Sequence, residues 1–145
     1  MRRRLRKLRA GEREFTWRAD IRSVRGDGVD LHRCIAVRVW GAGKNGNALT
    51  ADLLSKSLGA GWTPAATDDS YPASGDIRQL IEHALARGWN PDVRGGTYPL
   101  TEDAGVELPD FLITDRLRDV DAPDPTARVI RAAEEPRTSG PETVR

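Results

Sequence analysis

The chain has few of the residues on which metal and nucleophile chemistry depends. It contains one cysteine, Cys34, and two histidines, His32 and His83, in 145 residues. A single cysteine excludes an internal disulfide, and the apolar stretch Cys34-Ile-Ala-Val predicts a buried, inert thiol. The motifs G-x-S-x-G and H-E-x-x-H and spaced Cys/His sets are missing as well. We therefore expect a protein that is not an enzyme and that needs neither a cofactor nor a metal.

Long apolar runs are also missing. No stretch approaches the roughly 20 apolar residues of a membrane span, and the basic start lacks the apolar core of a signal peptide. Hydrophobic residues make up 38% of the chain and charged residues 31%, which suits one globular domain with polar ends. We expect a cytoplasmic protein that does not contact a membrane.

Charge is distributed unevenly along the chain although the formal net charge is only +1. Residues 1–40 hold 12 basic and 5 acidic residues, and the remainder is acidic. Residues 1–12 are predicted to form a basic flexible arm. The candidate nucleic-acid contacts are Arg2, Arg3, Arg4, Arg6, Lys7 and Arg9 in the arm and Arg18, Arg22 and Arg25 beyond it.

One amphipathic helix within residues 72–89 is the strongest pattern in the chain. Its apolar residues fall at i, i+3, i+4, i+7 and i+8 and are Ile77, Leu80, Ile81, Ala84 and Leu85. Either Ser74 or Asp76 caps its start, and Gly88 with Asn90-Pro91 ends it. The apolar stripe needs a flat surface to cover it, so we expect a β-sheet beneath the helix.

Period-two alternation predicts two strands before this helix. The inward residues of the first are Phe15, Trp17, Ala19 and Ile21, and those of the second are Leu31, Ile35, Val37 and Val39. The turn Gly26-Asp27-Gly28 joins them, which predicts an antiparallel hairpin.

The stretch Gly41–Asn47 has two interpretations. Gly41, Gly43 and Gly46 match G-x-G-x-x-G directly after a strand, as in a dinucleotide-binding turn, and residues 48–58 would then be helical. Asn45-Gly46 is instead typical of a hairpin, and Leu49, Ala51 and Leu53 alternate as a third strand would. We favour the hairpin and leave residues 48–58 open between strand and helix.

Short extended segments are predicted after the helix, at residues 97–101 and 106–114, with prolines that confine them to edges. The fold class is therefore α+β: a small antiparallel sheet of three N-terminal strands plus one or two short C-terminal strands, packed by one helix, in the order βββαβ(β). The domain spans residues 13–118. Residues 119–145 form a polar, proline-rich tail with a short helix at 125–135, anchored by Val129 and Ile130.

Two tryptophans are candidate contacts with a protein partner. Trp40 is out of register with the inward residues Val37 and Val39 and is predicted to be exposed, and Trp62 lies in a loop.

The run from Glu14-Phe-Thr-Trp17-Arg18 through Arg38-Val-Trp40 to the helix end at Ala84–Pro91 resembles a family of short bacterial proteins, some of them labelled integrase. The resemblance covers residues 13–118 and implies no established activity and no catalytic residue. No H-x-x-R box of a tyrosine recombinase begins at either histidine. We expect a non-catalytic accessory or protein-interaction domain, and the alternative is a nucleic-acid-binding accessory module that uses the basic arm.

Overall fold

The computed structural model describes residues 5–28, 31–41, 45–56 and 71–134. Its elements are β1 (Arg6–Ala10), β2 (Arg13–Arg25), β3 (Leu31–Trp40), β4 (Ala48–Ser55), α1 (Ser74–Ala86), β5 (Thr97–Leu100), a 3-10 turn (Glu102–Ala104), β6 (Phe111–Ile113) and α2 (Pro125–Glu134). The predicted α+β class is confirmed, with more strands and one more packed helix than the sequence indicates.

The described strands form one six-stranded sheet in the order β1-β2-β3-β4-β5, with β6 also paired to β4. Strands β1 to β4 are antiparallel neighbours. On its other side β4 pairs in parallel with β5 along residues 48–51 and in antiparallel with β6 along residues 53–55. Two short strands therefore share one edge of β4.

Helix α1 packs on one face of the sheet, as the apolar stripe predicts. Ile77, Leu80, Ile81 and Ala84 are fully buried in one core with inward residues of β1 to β4. Gly88 has a φ of +109°, and the Trp89 N–H donates to the Ala84 carbonyl at 2.9 Å. The chain then turns back and buries the Trp89 indole beside Phe15. The predicted end of the helix is confirmed.

The predicted cap of α1 is wrong. Ala73 occupies the N-cap position, so Asp76 falls three residues into the helix. From there its carboxylate reaches back and accepts a hydrogen bond from the Ala73 N–H at 2.9 Å.

The hairpin interpretation of the glycine-rich stretch is confirmed. β3 and β4 are antiparallel neighbours, and residues 48–55 form a strand rather than the helix that a dinucleotide-binding turn requires. Residues 42–44, 57 and 58 lie outside the described part of the chain.

The prediction of a flexible basic arm is wrong for residues 6–10. They form β1, which pairs with residues 13–17 of β2 and buries Leu8 and Ala10 in the core under α1. Two inward apolar residues and backbone pairing with β2 along its whole length hold this edge strand, although its other side chains are charged.

Helix α2 confirms the predicted C-terminal helix, but it belongs to the domain rather than to a separate tail. Val129 packs with Val24, Cys34 and Leu54 on the sheet face opposite α1. Ile130, the other predicted anchor, is 44% exposed. The helix places its single large buried residue over the end of the β2–β3 hairpin.

The start of α2 is fixed to that hairpin by one carboxylate. Asp124 Oδ1 accepts hydrogen bonds from the Thr126 N–H at 3.1 Å, within the first turn of α2, and from the Asp27 N–H at 3.0 Å, in the hairpin turn. The Thr126 hydroxyl also lies 2.7 Å from His32 Nε2.

We expect Gly26→Ala to destabilise this junction. A Cβ at Gly26 would lie 2.9 Å from Asp124 Oδ1 and closer still to the Thr126 hydroxyl, so the first turn of α2 must move. The free energy of unfolding should fall by about 1–3 kcal/mol, and amide exchange in α2 should accelerate. Gly28→Ala is the matched control, because its added Cβ meets no atom within 4 Å. Equal stability and exchange in the two variants would contradict this account.

Candidate functional site

The side of the sheet opposite α1 carries a row of charged residues that α2 does not cover. We name it the polar face and define it by Arg18, Asp20, Arg22, Arg38, Trp40, Thr50 and Asp52. Strand alternation produces it, because these residues occupy the positions between the inward residues of β2, β3 and β4. The strand registers place Arg18 directly opposite Arg38, and Arg38 opposite Thr50. Ala36 lies between Asp20 and Asp52 in the neighbouring row.

Two arginines and one tryptophan meet on this face. The guanidinium carbons of Arg18 and Arg38 each lie 5.6 Å from the centroid of the Trp40 ring. Trp40 is on the side of the sheet that its sequence register predicts, but it is only 7% exposed, so the predicted exposure is wrong. Long arginine side chains cover aromatic surface in this way while keeping their charge near water.

Neither arginine has an ion-pair partner among the residues that the structure describes. Arg18 Nε is buried and makes no hydrogen bond within the same residues. Both side chains are half-buried. The polar face therefore holds two adjacent cationic groups whose donors are not consumed by described carboxylates.

Asp52 is the half-buried carboxylate of β4, and Arg118 is its ion-pair partner at 3.7 Å. Arg118 also binds Asp115 at 2.6 Å. Burial raises the pKa of Asp52, and the positive charges of Arg118 and Arg22 oppose that rise. Asp52 is thus held close to a cation outside the Arg18–Arg38 pair.

The predicted nucleic-acid contacts do not form one surface. Lys7, Arg9, Arg18 and Arg22 point to the polar face. Arg6 and Arg25 lie on the opposite side of the sheet, where Arg6 is 5.8 Å from the Trp17 ring and 6.0 Å from the Tyr71 ring. Arg2, Arg3, Arg4 and the predicted partner contact Trp62 lie outside the described residues.

Sequence reasoning missed Arg38, Thr50 and Asp52 as members of this site. Arg38 carries a detectable signal, because it alternates with the inward Val37 and Val39. Its position opposite Arg18 depends on the hairpin register, which sequence alone does not specify. The position of Asp52 on the polar face follows only once residues 48–55 are known to form a strand.

Three other kinds of feature are relevant in the described ranges: a metal site, a thiol–imidazole pair and a membrane span. They contain no group of three or more His, Cys, Asp or Glu residues that could hold a metal ion. Cys34 lies beneath α2, whereas His83 belongs to α1 on the other face of the sheet, so the thiol and this imidazole do not meet. No helix within these ranges is long and apolar enough to cross a membrane.

Comparison of the chain with protein-family models, with curated proteins and with solved structures finds no match.

We expect Asp52→Asn to stabilise the protein at pH 7. The folded-state pKa of Asp52 lies above the ordinary value of 3.8. Folding therefore favours the protonated form, and the ionised carboxylate costs stability at neutral pH. The gain from asparagine should shrink as the pH falls towards 3.8, because the wild-type carboxyl is then increasingly protonated in both states. Urea unfolding at several pH values measures this.

The exposed Asp121→Asn is the control for this series and should change the free energy of unfolding by less than about 0.5 kcal/mol. A loss of stability in Asp52→Asn at pH 7 would mean that the attraction to Arg118 outweighs the cost of burial.

We expect Cys34 to be chemically silent in the folded protein. Burial, with a smaller contribution from the charge of Asp52, raises the pKa of its thiol to about 12, so little thiolate forms at neutral pH. Ellman's reagent at pH 8 should label the thiol only after unfolding in guanidinium. Labelling of the native protein at the rate of the unfolded chain would contradict the burial of Cys34.

Proposed function

We propose that this chain is a non-catalytic interaction domain that binds a protein partner through its polar face. The observation that supports the proposal most directly is the half-buried pair of Arg18 and Arg38 beside Trp40, without ion-pair partners among the described residues. Arginine and tryptophan are enriched at the energetic centres of protein interfaces, where both contribute large contact areas and directed hydrogen bonds.

The mixture of charges on this side of the sheet favours a protein partner. Five basic residues lie there, Lys7, Arg9, Arg18, Arg22 and Arg38, together with three acidic ones, Glu14, Asp20 and Asp52. A protein surface can present charges of both signs to match this pattern. A nucleic-acid backbone presents negative charge throughout and would meet the acidic residues as well as the basic ones.

Nucleic-acid binding is the second candidate function. It is favoured by one observation, that Lys7, Arg9, Arg18 and Arg22 share a side of the sheet and extend over two neighbouring strands. This footprint differs from the predicted arm, because residues 6–10 are part of the sheet. The resemblance to short bacterial proteins and the cytoplasmic location also stay proposals, and neither assigns an activity.

Site-specific photo-crosslinking tests the proposed function. The photoreactive residue p-benzoylphenylalanine is placed at Thr50, on the polar face, and at the exposed Gln79 of α1 as the matched control. We expect irradiation in the native host to give a protease-sensitive adduct from position 50 but not from position 79. The same adducts from both positions would contradict an interface on the polar face.

Nucleic-acid binding is measured separately, by fluorescence anisotropy of a DNA duplex at about 50 and 200 mM salt, where neutralised phosphates give a steep salt dependence. We expect weak binding by the full chain. Tight, salt-dependent binding that is lost in Lys7→Ala/Arg9→Ala would replace the protein partner with nucleic acid.

A further inference from the structure

Two like charges face each other across the hairpin on the polar face. Arg18 of β2 and Arg38 of β3 are directly opposed in the strand register. Like charges at such a position repel each other and lower the stability of the sheet. Threonine, or an arginine opposite a glutamate, would not produce this repulsion at the same two positions. A negative charge bound between the two arginines would remove the repulsion.

Neither Arg18 nor Arg38 forms an ion pair with a carboxylate in the described part of the chain. All the ion pairs there that involve arginine engage Arg13, Arg116, Arg118 or Arg128. Asp52, which lies one row away, is bound to Arg118. Arg18 Nε is buried without a hydrogen-bond acceptor among the described residues.

The buried Trp40 ring lies beside both arginines. The guanidinium carbon of each arginine lies 5.6 Å from the centroid of this ring, so both side chains are held near the same indole. A guanidinium has five N–H donors in a planar fork that fits a carboxylate in a bidentate arrangement. Because the strand register starts the two side chains directly opposite each other, one oxyanion between β2 and β3 is within reach of both forks.

We propose that Arg18 and Arg38 clamp a carboxylate of an acidic segment of the protein partner, with Trp40 as the wall of the site. This inference rests on the proposed function and specifies its ligand chemistry. A carboxylate fits better than a phosphate backbone because the next row along the strands is acidic, with Asp20 and Asp52 on either side of Ala36. A peptide can present a basic or neutral residue about 7 Å from its acidic one, at the spacing of alternate strand residues.

The clamp is tested with a fluorescein-labelled peptide of alternating glutamate and glycine, whose anisotropy is followed during titration with the full chain at about 50 mM salt. The glutamine counterpart of the peptide and a labelled DNA duplex are the comparison probes. The protein variants are Arg18→Gln, Arg38→Gln and Arg38→Lys. Arg87→Gln is the control, since it removes the same charge from the end of α1, on the other side of the sheet.

We expect the glutamate peptide to bind more tightly than both comparison probes. Its affinity should fall about tenfold or more in each glutamine variant and in Arg38→Lys, which keeps the charge but loses the fork. It should change less than about twofold in Arg87→Gln. An equal loss in Arg87→Gln would reduce the effect to general electrostatic attraction, and tighter binding of DNA would assign the pair to phosphate; either result overturns the carboxylate clamp.

Thermal unfolding of Arg38→Met gives a second readout, because methionine removes the charge and keeps an apolar side chain beside the Trp40 ring. If Arg18 and Arg38 serve a ligand, removing one charge relieves the repulsion, so Arg38→Met should unfold at the same or a higher temperature than the wild type. A lower unfolding temperature in Arg38→Met would show that the charge itself stabilises the sheet and would overturn the clamp.

The two proposals fail separately. An adduct from position 50 together with no binding of the glutamate peptide overturns the clamp and leaves the polar face as an interface. Peptide binding that depends on Arg18 and Arg38 without any protein adduct overturns the protein partner and leaves an oxyanion site.

Discussion

The burial of β3 on both faces is the constraint on which the rest of the fold depends. Ile35, Val37 and Val39 point into the core under α1, while Cys34 packs beneath α2 on the other face. A central strand that is covered on both sides must pair along both edges, and β2 and β4 do so over most of its length. The two helices, which are far apart in sequence, are thereby held to one sheet.

Two polar residues of β3, His32 and Arg38, make different kinds of contact with their surroundings. His32 is buried and lies within hydrogen-bond distance of the Thr126 hydroxyl, at the start of α2. Arg38 lies against the Trp40 ring instead. The first contact fixes a helix to the sheet, whereas the second leaves donors that the described residues do not use. This difference is why we propose a binding site at Arg38 and its neighbours.

Local periodicity accounts for the parts of the fold that the sequence predicts. The stripe from Ile77 to Ala84 lies within one helix, and the alternations around Phe15 and Val37 each lie within one strand. The structure confirms all three of these elements. Strand β1 was missed because its stability comes from pairing with β2, and its own composition is basic and exposed. The parallel pairing of β5 with β4 depends on the path of the chain through α1, which no local pattern records. The sequence predicts Arg18 as a candidate nucleic-acid contact, but the position of Arg38 opposite it follows only from the register of the hairpin.

The shared edge of β4 also determines how this sheet meets other chains. β5 covers four residues of that edge and β6 covers three, and Pro99 interrupts the outer hydrogen-bonding row of β5. A strand that is short and contains proline is a poor template for a further strand. The β4 side of the sheet is therefore protected from the edge-to-edge association from which β-aggregates grow, and this protection comes from the backbone and requires no side chain of the neighbouring polar face.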